Sequence, residues 1–172
     1  MLLAVVVTLF GRDAYAVIAL GAVVGSLIGV TLAIKIQMTA MPQLVAIFHW
    51  FGGLASVLVA GSQIIQTDPT ETATIIPWDV LTATAVTGLI GAITFSGSLI
   101  AFGKLQELPL FKRPLPIPGN QVVNLVLGVT SIGLAVALIT NASDTAYLWL
   151  VIVASVLGIL LVNPIGGADM PV

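Results

Sequence analysis

Apolar residues in this chain come in stretches about as long as a membrane is thick, and the polar residues are confined to short links between them. A hydrocarbon layer of about 30 Å takes roughly 20 helical residues to cross. By that measure residues 1–10 make only half a span, so the chain is expected to begin inside a transmembrane helix that ends at the polar turn Gly11-Arg12-Asp13. Full spans are predicted over residues 15–35, 42–65, 78–102 and 120–141, and a last one from a turn at Ser143 and Asp144 to Asn163 and Pro164. The link 104–119 carries Pro109, Pro114, Pro116 and Pro118, which restrict the backbone and predict a stiff, extended connection. The expected fold is all-α: a polytopic transmembrane helix bundle of about five full spans plus an N-terminal partial span, with residues 1–172 forming one transmembrane domain.

Small and polar residues repeat inside these spans with helical spacing. Gly21, Gly25 and Gly29 recur every four residues, the small-xxx-small pattern that lets helix backbones touch. In the span 78–102, Thr84, Thr87, Gly91, Thr94 and Ser98 are spaced three, four, three and four, which puts them on one narrow stripe. Such a stripe serves either as hydrogen-bonding glue between helices or as the lining of a hydrated path. In the next span Asn120 is placed to be an N-cap, and Asn124, Gly128, Ser131 and Ala135 share a face.

The only histidine, His49, lies in the span 42–65. That helix opens at Pro42, a residue suited to a first turn because its missing N–H would have no intrahelical partner there. His49 follows seven residues later, about 10 Å along the axis, which is inside a hydrocarbon layer. An ionisable group at such depth faces a bundle interior or a wet cavity. Its face includes Ala46, Gly52, Gly53, Ser56 and Ala60, small residues that admit a neighbouring helix. Two readings stand side by side: a neutral histidine hydrogen-bonded in a packed bundle, and a residue that handles protons.

Composition narrows the class. With 59% hydrophobic and 7% charged residues the chain departs from soluble domains, which carry about 25% charge, and it reads as an integral membrane protein. The apolar stretches are long and rich in Gly and Ala instead of alternating, which favours helices over a barrel. A formal charge of −2 implies no particular partner, and nothing points to nucleic acid. The absence of cysteine excludes disulfides and thiolate sites, and one histidine without clustered acids argues against a metal site. Arg12 falls on one side of the predicted topology; Lys35, Lys104, Lys112 and Arg113 fall on the other, which the positive-inside rule makes cytoplasmic, the C-terminus with them. Tyr15, Trp78, Tyr147 and Trp149 then form an aromatic belt at the opposite ends of their helices.

The final residues, Ala168-Asp169-Met170-Pro171-Val172, echo Thr39-Ala40-Met41-Pro42-Gln43-Leu44, as if a second copy of one helical unit were beginning. Together MTAMPQLVAIFHWFGGLASVLVAG (38–61), GAITFSGSLIAFGKLQ (91–106), PGNQVVNL (118–125) and IGGADMPV (165–172) resemble the membrane domain of the β subunit of proton-translocating nicotinamide nucleotide transhydrogenases. The resemblance implies hydride transfer from NADH to NADP⁺ coupled to inward proton movement, with the hydride step in two soluble nucleotide-binding domains.

It matches the family's membrane histidine to His49, a serine of its TFTGS stretch to Ser98, with Ser96 replacing a threonine, and its acidic residue near the nucleotide domain to Asp169. Asn124 joins them as a candidate for the proton path from periodicity alone. The family's β subunit has a further helix before this region and two more after GGADMPV, leading into an NADP(H)-binding domain. The chain is therefore expected to be a middle fragment, to bind no cofactor itself, and to work with NADP(H) and NAD(H) held by partner domains. The expected partners are the lipid bilayer, the rest of the β subunit, an α subunit with the NAD(H) domain, and a second protomer. The expected setting is the inner (plasma) membrane. On the residues alone, a small-solute or ion transporter and a structural membrane anchor stay open.

Overall fold

The computed structural model of the chain describes residues 15–65, 76–108, 111 and 119–165. Five helices dominate them: α1 (Tyr15–Lys35), α2 (Met41–Ile65), α3 (Trp78–Leu105), α4 (Asn120–Asn141) and α5 (Asp144–Val162), with a 3₁₀ turn at Met38–Ala40 before α2. Each of the five is long and apolar enough to cross a membrane. No strand occurs among the described residues, so the all-α transmembrane architecture is met. The partial span at 1–10, the C-terminal echo at 168–172 and most of the proline-rich link lie outside the described residues.

The boundary that differs most is the end of α3, which runs three residues beyond the predicted Phe102. It closes with a two-bond C-terminal motif: the Leu108 N–H donates to Gly103 O at 3.0 Å, and the Glu107 N–H to Lys104 O at 3.0 Å. Glu107 takes the left-handed conformation there (φ 51°), a place usually filled by glycine, which is why the sequence carries no plain stop signal. The predicted N-cap of α4 is also corrected. Gly119 occupies that position (φ 75°), and Asn120 instead turns its amide toward Leu160 O at 3.4 Å.

The chain divides into two compact units, residues 1–41 and 42–172. In the first, α1 has no buried residue, and the sides of Gly21, Gly25 and Gly29 that a methyl group would occupy are open. The Thr31 hydroxyl bonds back to Leu27 O and Ile28 O, both at 2.9 Å, within its own helix.

In the second unit α5 packs against both α3 and α4. Its core gathers Ala60, Ile64, Ala85, Leu138, Tyr147 and Leu150. The α3–α5 seam is built from small residues: a Cβ on Gly158 would lie 2.6 Å from Ile93 O and against the Ser96 hydroxyl. Tyr147 corrects the predicted aromatic belt, because it is a core residue. It is 7% exposed, its ring lies over Gly61 and Gly88, and its hydroxyl donates to Val57 O at 2.5 Å. Trp78 and Trp149 are exposed, as a lipid-facing belt requires. The turn into α5 takes only Ala142 and Ser143, with Ala142 in the left-handed region (φ 46°) at a cost of about 1 kcal/mol.

Candidate functional site

α2 and α3 touch through their backbones at one level. A Cβ on Gly53 would sit 2.5 Å from Phe95 N and 2.8 Å from Gly91 O, so only glycine fits. Beside this pinch the helices enclose a groove of about 570 Å³. Gly52, adjacent to the pinch, has open space where a side chain would be, and it helps line the groove.

His49 lies one turn before Gly53 and faces the same groove. Its ring is exposed, and Nδ1 is 3.1 Å from Val45 O of its own helix. A carbonyl can only accept, so this contact puts the proton on Nδ1; in the neutral ring Nε2 is then the acceptor. The wall opposite is polar in part: Thr87, Gly91 and Thr94 of α3 line the groove with Ser56 of α2, whose hydroxyl donates to Gly52 O at 2.9 Å. Behind His49, Trp50 stacks on Phe95 with ring centroids 5.8 Å apart, and its indole Nε1 is buried without a hydrogen-bond partner.

The hydroxyl stripe predicted on α3 therefore divides. Thr87, Gly91 and Thr94 join His49, while Thr84 is buried in the core and Ser98 is half-buried away from the groove lining. Asn124 is on α4, half-buried, with its Oδ1 enclosed and unpartnered, and it does not line the groove. Asp169 lies outside the described residues. Of the three predicted site residues that are described, His49, Ser98 and Asn124, only His49 lines the groove.

Lys104, one of the basic residues expected on the cytoplasmic side, is only 8% exposed, and its ammonium donates to Val162 O, Asn163 O and Ile165 O at 2.9, 2.5 and 2.7 Å. Its charge is directed at the end of α5, so among the described residues Lys35 is the cation left to argue orientation. No group of three or more His, Cys, Asp or Glu able to hold a metal occurs among the described residues.

Comparison with known proteins agrees with this picture of a membrane helix bundle. The family model described as NAD(P) transhydrogenase beta subunit matches residues 1–172. Two relatives named NAD(P) transhydrogenase subunit beta, one from Rhodospirillum rubrum and one from a designated strain of that species, are each 44% identical over 176 residues. The match takes in 100% of this chain but 38% of each relative, so the chain spans well under half of their length. A full-length family match and 44% identity leave one assignment: the chain belongs to the NAD(P) transhydrogenase beta subunit family.

Proposed function

We propose that this chain is the membrane part of a proton-translocating NAD(P)⁺ transhydrogenase, and that protons cross it by way of the groove at His49, coupled to hydride transfer from NADH to NADP⁺. The observation that carries this reading is the setting of His49 in a chain of this family. The sole imidazole opens onto a largely apolar groove, bordered by three hydroxyls, between two membrane-length helices instead of being enclosed in the core. An imidazole so placed can accept a proton at Nε2 and release it again, while Thr87, Thr94 and Ser56 supply hydroxyls for ordered water. Ser98, one turn beyond Thr94, Asn124 and Asp169 act in the same path or in its coupling.

The hydride chemistry belongs to soluble domains that bind NADP(H) and NAD(H), in the rest of the β subunit and in an α subunit, within a dimer of protomers. Occupancy of the NADP(H) site shifts the groove between two states of proton access, a linkage between distant sites. The test is His49→Ala in the assembled enzyme. Nucleotide-driven proton uptake in sealed vesicles should fall at least about a hundredfold, of the size expected when an essential proton-transfer group is removed. A hydride exchange assay that needs no net proton movement should persist. An assembled variant that pumps at the wild-type rate would falsify the role of His49.

The setting that goes with this reading is the inner (plasma) membrane, with Lys35 and the 104–119 link on the cytoplasmic side. These 172 residues hold no cysteine, so in a background free of other reactive thiols single cysteines at Thr70 and at Lys112 report the two links. They should react with an impermeant thiol reagent from opposite sides; reaction from the same side removes the orientation.

A further inference from the structure

One end of the second unit is held together by side chains that donate to the last carbonyls of neighbouring helices. The final turn of any α-helix leaves carbonyls without intrahelical donors, and its partial negative charge attracts cations. In α5 two of these carbonyls, Leu160 O and Val162 O, accept from other helices. Lys104, in the last turn of α3, gives one N–H each to Val162 O, Asn163 O and Ile165 O at 2.9, 2.5 and 2.7 Å, which uses all three of its donors. Asn120 of α4 donates to Leu160 O at 3.4 Å. The end of α3 is tied in turn to the helix of His49, since Gln43 donates to Leu105 O at 3.1 Å and Gln106 donates to the Gln43 side-chain oxygen at 3.0 Å. A chain of polar contacts thus runs from the first turn of α2, through the end of α3, to the end of α5.

We propose that Lys104 is a positioning residue: its ammonium serves as a C-terminal cap for α5 lent by α3, so that the ends of the two helices, and the start of the His49 helix through Gln43, move as one body. The assignment rests on three charge-assisted bonds from one buried group, a stronger tie than apolar packing alone because it fixes direction as well as distance. Lys104 neither faces the groove nor touches His49. Its part in the proposed proton step is to fix where the chain leaves α5 relative to the helices that form the groove, and to that extent the inference relies on the function proposed above.

The test is Lys104→Met in the assembled enzyme, which keeps an unbranched apolar stem and removes the charge and the donors. Amide hydrogen exchange should accelerate at least about tenfold at Asn163 and Ile165, with Ala154 and Leu157 in the middle of α5 unchanged, because a lost cap frays only the last turn. Equal acceleration along all of α5, or none at 163 and 165, overturns the proposal. Lys104→Arg keeps the charge and should hold exchange at 163 and 165 closer to wild type than Lys104→Met does; the reverse order also overturns it. If Lys104→Met does not assemble, paired spin labels on Leu108→Cys and Ile165→Cys in the otherwise native enzyme decide the matter. A single narrow distance distribution, unchanged between NADP⁺- and NADPH-loaded enzyme, supports one rigid body, and a broad or nucleotide-dependent one refutes it. Neither the exchange nor the distance measurement depends on proton uptake, so failure at Lys104 and failure at His49 are told apart.

Discussion

The two sides of α3 are built from similar residues and do different things. Toward α5 it presents Ser96 and Gly97, both buried, and they close against Gly158 and Val162. Toward α2 it presents Thr87, Gly91 and Thr94, of which Gly91 packs against Gly53, Ser56 and Val57 while all three line the groove beside them. The hydroxyls show the contrast most clearly. Ser96 is enclosed and gives its proton to Ala92 O at 2.9 Å in its own helix, whereas Thr94, two residues earlier, borders the open volume near His49. Small polar residues in a membrane helix thus do not by themselves mark a path; what separates glue from lining is whether the facing helix has a side chain or backbone close enough to fill the gap.

The comparison can be broken first with glycine. Gly158→Ala on the packed side forces a methyl group to within 2.6 Å of Ile93 O, a backbone atom that cannot swing away. The loss should be about 1–3 kcal/mol, the range for overpacking. Gly52→Ala on the groove side meets nothing within 4 Å and should leave stability within about 0.5 kcal/mol of wild type, or raise it, since alanine favours helix. Thermal unfolding of the two variants in detergent measures the difference, and equal midpoints would erase the distinction between the two faces.

A smaller effect sharpens the same contrast through function. Thr94→Val keeps shape and removes one groove hydroxyl, and proton uptake should drop severalfold with assembly unchanged, a fraction of the loss expected when a proton-transfer residue itself is removed. Ser96→Ala, on the packed side, should leave uptake untouched. If the serine variant lowers uptake as much as the threonine variant, the groove is not the path.

Much of the fold was legible because membrane thickness and helical rise together fix how long an apolar stretch must be, and α1 and α4 begin and end where the pattern puts them. What the pattern could not give is which apolar face meets lipid and which meets protein, since both surroundings are equally apolar. That is why Tyr147 read as a belt residue although its ring fills the notch made by Gly61 and Gly88. The burial of Lys104 was not legible for a related reason: a lysine at a helix end looks the same whether its ammonium reaches water or a neighbouring helix's carbonyls. The site was legible in part. Spacing put Thr87, Gly91 and Thr94 on one stripe and singled out His49, but the groove covers only two turns of that stripe, so Thr84 and Ser98 fall elsewhere. Asn124 shares the periodicity and not the location.

The placement of Trp50 gives the groove an optical handle. The chain has three tryptophans, and two of them, Trp78 and Trp149, are exposed. Trp50 alone is next in sequence to His49, stacked on Phe95 where α2 meets α3, with its indole nitrogen shut off from hydrogen-bonding partners. Replacing Trp78 and Trp149 by phenylalanine would leave Trp50 as the one tryptophan of these 172 residues. Its colour would follow the wetness of that seam. Its emission would then report on the contact between α2 and α3 without an attached dye.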